Sequence, residues 1–183
     1  MARIAPVTFE EAPPASRAEW QRQVAAHGRM TNMKRTLLHS LPAFHSLMEF
    51  YPLASVVAPF LGARPTNVFL HAISAETDCL VCSTYFRRHL IDAGDDPDDL
   101  DLSEREKLLI EFGRSLSAQR SRVSDAVYAR LSAEFTAEEI VALTAFGAMM
   151  VATNVFNNAL DVDLDEYLEG YRKSGSPARG ATG

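Results

Sequence analysis

The chain has 183 residues, 47% of them hydrophobic and 23% charged, with nine glycines and nine prolines, the composition of one ordinary domain able to bury a sizeable core. Eighteen Lys and Arg against 24 Asp and Glu leave a formal charge of −6, and no basic run stands beside an aromatic cluster, so a phosphate-tracking surface is not expected and nucleic acid is set aside. The amino-terminal MARIAPVTFEEAPPAS has no basic segment followed by an apolar run, so no export signal is read and a reducing cytoplasm is the expected compartment. Two cysteines, both in one CxxC, cannot build the disulfide framework of a small secreted protein and point to redox chemistry or a metal instead.

Residues 1–15 are rich in proline and poor in periodic apolar residues, and read as an extended arm. Ser16 with Glu19 has the form of a capping box, in which the hydroxyl accepts from the N3 amide and the carboxylate reaches back to the cap amide. A helix is expected to open there and to end near Gly28. A second periodic stretch covers Met33, Leu37, Leu38 and Leu41, after which Pro42, Pro52 and Pro59 suggest short helices restarted at each proline.

From Pro65 to Ala93 the helical pattern is the longest unbroken one, with Phe69, Leu70, Ile73, Leu80, Phe86, Leu90 and Ile91 on a broad stripe and Gly94 placed to stop it. Beyond the acidic GDDPDDLDL, Ser103 with Glu106 and Thr136 with Glu139 form two further capping boxes, and Ser124 with Asp125 opens a shorter helix between them. No alternating strand pattern occurs. The reading is an all-α helical bundle of seven or eight helices, with one domain over residues 16–172 and a small, polar, disordered tail over 173–183.

Ile140 to Leu160 contains no charged residue and is long enough to cross a membrane. Thr144, Thr153, Asn154, Asn157 and Asn158 run through it, and Asp161 and Asp163 follow at once, which favours a helix buried in the core or between subunits. A homo-oligomer without a membrane span is expected.

Cys79 and Cys82 stand three residues apart on the expected long helix, so their side chains share one face and their sulfurs could meet. The same pair would serve as two small buried apolar groups, since reduced Cys packs as a hydrophobe. A zinc site would need two more ligands, and His71 and His89 lie about two helical turns from the nearer Cys, too far along one rod to close a tetrahedron. No metal and no organic cofactor is expected. With both cysteines well inside a helix, no help from a helix N-terminus is anticipated for a thiolate.

The run SAETDCLVCSTYFRRHLIDAGDDPDDL, from Ser74 to Leu100, resembles the core of the alkylhydroperoxidase D-like and carboxymuconolactone decarboxylase superfamily. That pattern has a Ser, a CxxC, a His four residues later and a Gly ending the helix, and Ser74, Cys79, Cys82 and Gly94 fall at matching places. The resemblance continues through LSEREKLLIEFGRSLS, VSDAVYARLSAEFTAEEIVAL and ATNVFNNALDVDLDEYL, covering about residues 40–170. It implies an all-helical fold that assembles into trimers or larger rings. It also implies a thiol cycle in which Cys82 attacks a peroxide to form a sulfenic acid and Cys79 resolves it.

Two departures stand out against the pattern: its His falls on Phe86, and its relay Glu, twelve residues before the first Cys, falls on Asn67. Glu76, three residues before Cys79, and His89, seven residues past Cys82, are the candidate substitutes, and His71 could line the same pocket. The expected function is therefore a cofactor-independent thiol oxidoreductase, peroxidase-like, reducing hydroperoxides or disulfides at the expense of a thiol reductant. Its alternatives are a lyase or isomerase acting on a small oxo-acid or lactone, for which no acid–base set is visible, and a non-catalytic oligomeric binding protein on the same fold.

Overall fold

A computed structural model of the chain describes residues 2–173. Among these it contains nine α-helices and one 3-10 helix and no strand. In chain order they are α1 (Pro14–His27), α2 (Asn32–Leu37), α3 (Leu41–Met48), α4 (Phe50–Leu61), α5 (Ala63–Glu76), α6 (Leu80–Asp92), α7 (Glu104–Ser117), α8 (Asp125–Glu134), α9 (Ala137–Ala159) and η1 (Glu166–Tyr171). From residue 174 onward, the expected tail lies outside the described residues.

Local chemistry sets most helix ends. Both later capping boxes form: Ser103 accepts from the Glu106 amide and Thr136 from the Glu139 amide, while each glutamate reaches back to its cap. Ser124 caps α8 through the Val127 amide. Gly28 and Gly94 close α1 and α6 at φ +78 and +93, a region open to glycine at no steric cost. The Ser16 box does not form, because α1 starts two residues earlier: Pro14 occupies its first turn, and the Ser16 hydroxyl donates to the Leu38 carbonyl instead. The proline at the start of the helix overrides the cap pattern further in.

The central helix is α5, packed against α4, α6, α7 and α9. Phe69, Leu70 and Ile73 of α5 join Leu109 and Phe112 of α7 and Leu143 and Phe146 of α9 in the main core. The three helices approach closely because Gly113 and Gly147 carry no side chain: a Cβ on Gly147 would stand 2.6 Å from Leu116 Cδ1 and 2.9 Å from Phe69 Cζ. A smaller cluster joins Val7 and Ala12 of the amino-terminal segment to Leu37, Leu38 and Phe44. That segment is docked: Arg3 donates its backbone N–H to the Leu160 carbonyl and its side chain pairs with Asp161, both at the end of α9.

α9 is the uncharged stretch, and by length and composition it could cross a membrane. Here one face, from Leu143 and Phe146 to Asn154 and Asn157, is buried in the core. The opposite face exposes Val141, Ala145, Ala148, Ala152 and Val155 at alternating spacings of four and three.

The expected continuous helix over Pro65–Ala93 is broken. α5 stops at Glu76, Thr77 and Asp78 form a turn, and α6 restarts at Leu80. Thr77 Oγ1 donates to the Ile73 and Ser74 carbonyls, and Asp78 sits at φ +49, a left-handed conformation that a short polar side chain tolerates. Apolar periodicity carries across such a turn unchanged, so the sequence pattern did not show the break.

Candidate active site at the helix break

The break moves the CxxC from the middle of a helix to the start of one. Cys79 is the N-cap residue of α6, its amide donating to the Ser74 carbonyl at 2.9 Å, and Cys82 lies three residues on, in the first turn. The expectation of two cysteines remote from a helix N-terminus is therefore corrected: the positive end of the α6 dipole lies at the pair, with no side chain capping it. Both cysteines are thiols in the structure. Cys79 is 0% exposed and Cys82 7%.

α9 holds this turn from the inside with three amides. Asn154 Nδ2 donates to Thr77 Oγ1 at 2.8 Å and to Ser74 Oγ at 3.4 Å, and Asn158 Nδ2 donates to the Thr77 carbonyl at 2.8 Å. Asn157 Nδ2 reaches both sulfurs, 3.3 Å from Cys82 Sγ and 3.9 Å from Cys79 Sγ. In the sequence these asparagines count as polar residues against a membrane span; in the structure they clamp the thiol turn to the core.

The Cys82 thiol is pushed well above its ordinary range. The hydrogen bond it shares with Cys79 is the largest cause, burial and repulsion from Cys79 add to it, and the Asn157 amide opposes them. The Asn157 donor and the α6 N-terminus thus favour the thiolate in a site that otherwise favours the thiol.

On its other side Cys82 borders a cavity of about 350 Å³. Val81, Phe86, Phe50 and Met150 make it apolar, while Lys34 of α2, Tyr51 of α4, Tyr85 of α6 and Tyr167 of η1 bring polar groups to it. Burial raises all three phenols, Tyr167 to about 12, and each is further raised by another of the three or by a neighbouring acid or thiol, so they are neutral hydroxyls at physiological pH. His27 lines the cavity stacked on Tyr51, ring centroids 3.8 Å apart.

The residues singled out from sequence divide in two. Cys79 and Cys82 come together, with Cys82 alone of the pair on the cavity. Phe86, one turn beyond Cys82, lines the cavity and meets Tyr85 edge-on at 5.2 Å. Glu76 is exposed and faces Arg114 at 3.7 Å, outside the cavity lining. His89 sits against Tyr85 at 4.7 Å and is also outside it, its pKa lowered by burial and by Arg88. Asn67, in the first turns of α5, and His71, whose pKa burial holds down at about 4, do not line the cavity either. Lys34, Tyr51 and Tyr167 were missed, because they come from three elements far apart in sequence, and a lysine in a six-residue helix reads as solvated.

No protein-family profile and no curated protein sequence matches the chain at a significant level. Solved structures do. An alkylhydroperoxidase AhpD core, a peroxidase-related protein from Ralstonia eutropha JMP134, superposes with a TM-score of 0.71 at 16% identity, over 91% of this chain and 94% of that one. The fold is that of the alkylhydroperoxidase D core. A peroxidase-related protein from Silicibacter sp. TM1040 gives a TM-score of 0.72 at 11% identity, over 88% of this chain and 91% of that one. The ligand-free debrominase Bmp8 gives 0.70 at 16%, over 92% and 95%. At these identities the likeness shows the fold, and the chemistry resides in the thiol site.

Proposed function

We propose that this protein is a cofactor-independent thiol oxidoreductase in which Cys82 attacks a hydroperoxide and Cys79 resolves the product. One observation carries the reading: Cys82 borders the cavity, and Cys79 lies behind it, fully buried and within hydrogen-bonding reach of its sulfur. The Cys82 thiolate attacks the outer peroxide oxygen; an S–O bond forms as the O–O bond breaks, the alkoxide leaves as the alcohol after taking a proton, and Cys82 becomes a sulfenic acid. The Cys79 sulfur then attacks Cys82, an S–S bond forms, and hydroxide departs as water. An external dithiol reduces the disulfide and completes the cycle; a disulfide substrate would enter by exchange at Cys82.

Asn157 suits both protonation states, because an amide can offer its N–H to a thiolate or its oxygen to a thiol, and its Oδ1 is buried without a partner among the described residues. Glu76 and His89 have no part in these steps. We further propose a homo-oligomer built on the exposed Val and Ala stripe of α9, and a cytoplasmic thiol reductant as the source of electrons.

The test is mass spectrometry of the reduced protein after one equivalent of cumene hydroperoxide. A loss of two hydrogens located to the Cys79–Cys82 peptide is expected, reversed by dithiothreitol. Thiols that stay reduced under excess peroxide would remove the thiol cycle and leave the lyase and binding readings.

A further inference from the structure

Lys34 is 3% exposed, on a wall of the cavity that Cys82 borders. Among the described residues Lys34 forms no ion pair; the Tyr51 ring lies 4.9 Å from Nζ to centroid, and His27, stacked on that ring, has its pKa lowered by burial and by the nearby Lys34 charge. A desolvated ammonium without an anion is costly, and proteins ordinarily give one a partner. Burial lowers its pKa to about 8, which leaves it mostly protonated at neutral pH.

The rest of the lining is biased the same way. Arg29 lies over the Tyr167 ring at 4.1 Å, and Arg88 reaches the same ring while pairing with Asp92 at 3.5 Å. Asp165 is the one carboxylate on the lining, and it already accepts the Asn32 amide at 2.8 Å. Three cations therefore face one occupied carboxylate in a chain of net charge −6. Tyr51, Tyr85 and Tyr167 add three hydroxyls for which no hydrogen-bond acceptor stands among the described residues. These donors and cations thus share the lining with the apolar side chains of Phe86, Val81, Phe50 and Met150.

We propose that the cavity binds an organic carboxylate with an apolar body, its carboxylate held by Lys34 and the tyrosine hydroxyls and its body on Phe86 beside Cys82. The proposal rests on the thiol reading for what happens next: the hydroperoxide group of such an acid is the electrophile presented to Cys82. Lys34 is a binding residue in this scheme and takes no part in proton transfer. At about 350 Å³ the cavity falls in the lower range for small-molecule sites, room for a bicyclic aromatic acid.

The test is calorimetric binding of 2-naphthoate and of 2-naphthalenemethanol to the full-length reduced protein. Naphthoate is expected to bind at least about 10-fold more tightly than the neutral alcohol, the scale of one charge-assisted hydrogen bond. Lys34→Met should remove that preference while leaving alcohol binding within about 2-fold, and Lys34→Arg should keep part of it. Equal affinity for the two probes, or a Lys34→Met protein that melts like the parent and still prefers naphthoate, would overturn the proposal. Should Lys34→Met fail to fold, Lys34→Gln takes the same test, and the two-probe comparison on the parent stands without either variant. Because binding is read without turnover, naphthoate preference without peroxide-driven disulfide formation would sink the thiol cycle and keep the anion site, and the reverse result would do the opposite.

Discussion

Cys82 stands between two walls of opposite character. Toward the core, Asn154, Asn157 and Asn158 of α9 grip the turn through short amide hydrogen bonds. Toward the cavity, Lys34 and three tyrosines face a space bounded by Phe86 and Val81. The core wall fixes geometry and supplies a neutral donor; the cavity wall sets cations and hydroxyls beside apolar side chains. On neither side does a carboxylate or an imidazole shift the Cys82 thiol, whose causes are Cys79, burial and Asn157. The difference between the walls leaves Cys82 firmly positioned and provides no strong base for its proton.

The largest change should come from giving the cavity wall a base. Phe86→His puts an imidazole one turn from Cys82, and peroxide consumption by stopped flow should rise by about 10- to 100-fold if proton removal limits attack. An unchanged rate in a folded variant would mean that the two walls already serve the proton. The native stability must be measured beside it, because losing a buried Phe costs on the order of 3 kcal/mol.

His71 lies outside both walls and separates stability from chemistry. Its folded pKa, about 4, is below the ordinary value of 6.5 through burial first and Arg87 second, with Asp98 opposing and Lys173 adding to the depression. Below pH 6.5 the unfolded chain takes up a proton that the folded one refuses, so stability should fall as pH drops from 6.5 to about 4, by at most roughly 3 kcal/mol. Denaturant melts of the parent and of His71→Gln at pH 7 and 4.5 check this: the variant should lose less on acidification.

Within the core wall the roles of two neighbours should separate. Asn154→Ala removes the clamp on Thr77 and Ser74 and should destabilise by about 1–3 kcal/mol in urea unfolding. Asn157→Ala should cost less stability, yet slow iodoacetamide alkylation of Cys82 by about 3- to 10-fold at pH 8, because the donor that favours the thiolate is gone. In the parent, that alkylation rate should keep climbing through pH 9, as expected of a thiol held above its ordinary range. Equal effects of the two alanines on alkylation would dissolve the division of labour within this wall.

What the sequence made legible follows the range of the interactions. The capping boxes at Ser103 and Thr136 and the glycine stops at Gly28 and Gly94 depend on residues within one turn, and they form. The Ser16 box fails because Pro14 starts the helix first, and the break at Thr77–Asp78 escapes notice because it leaves the apolar stripe in phase. The CxxC was visible as a chemical feature. Its position at a helix start, the amide clamp 75 residues or more away in sequence, and the buried ammonium of Lys34 depend on tertiary packing that no local pattern encodes.

The central claim is that Cys82 attacks and Cys79 resolves, and single-cysteine variants test it most directly. Cys79→Ser and Cys82→Ser are each exposed to cumene hydroperoxide in the presence of dimedone, and the adduct is mapped by tandem mass spectrometry. The account predicts a dimedone adduct on Cys82 in the Cys79→Ser protein and little or none on Cys79 in the Cys82→Ser protein. Labelling confined to Cys79, or labelling of neither thiol in folded protein, would contradict it.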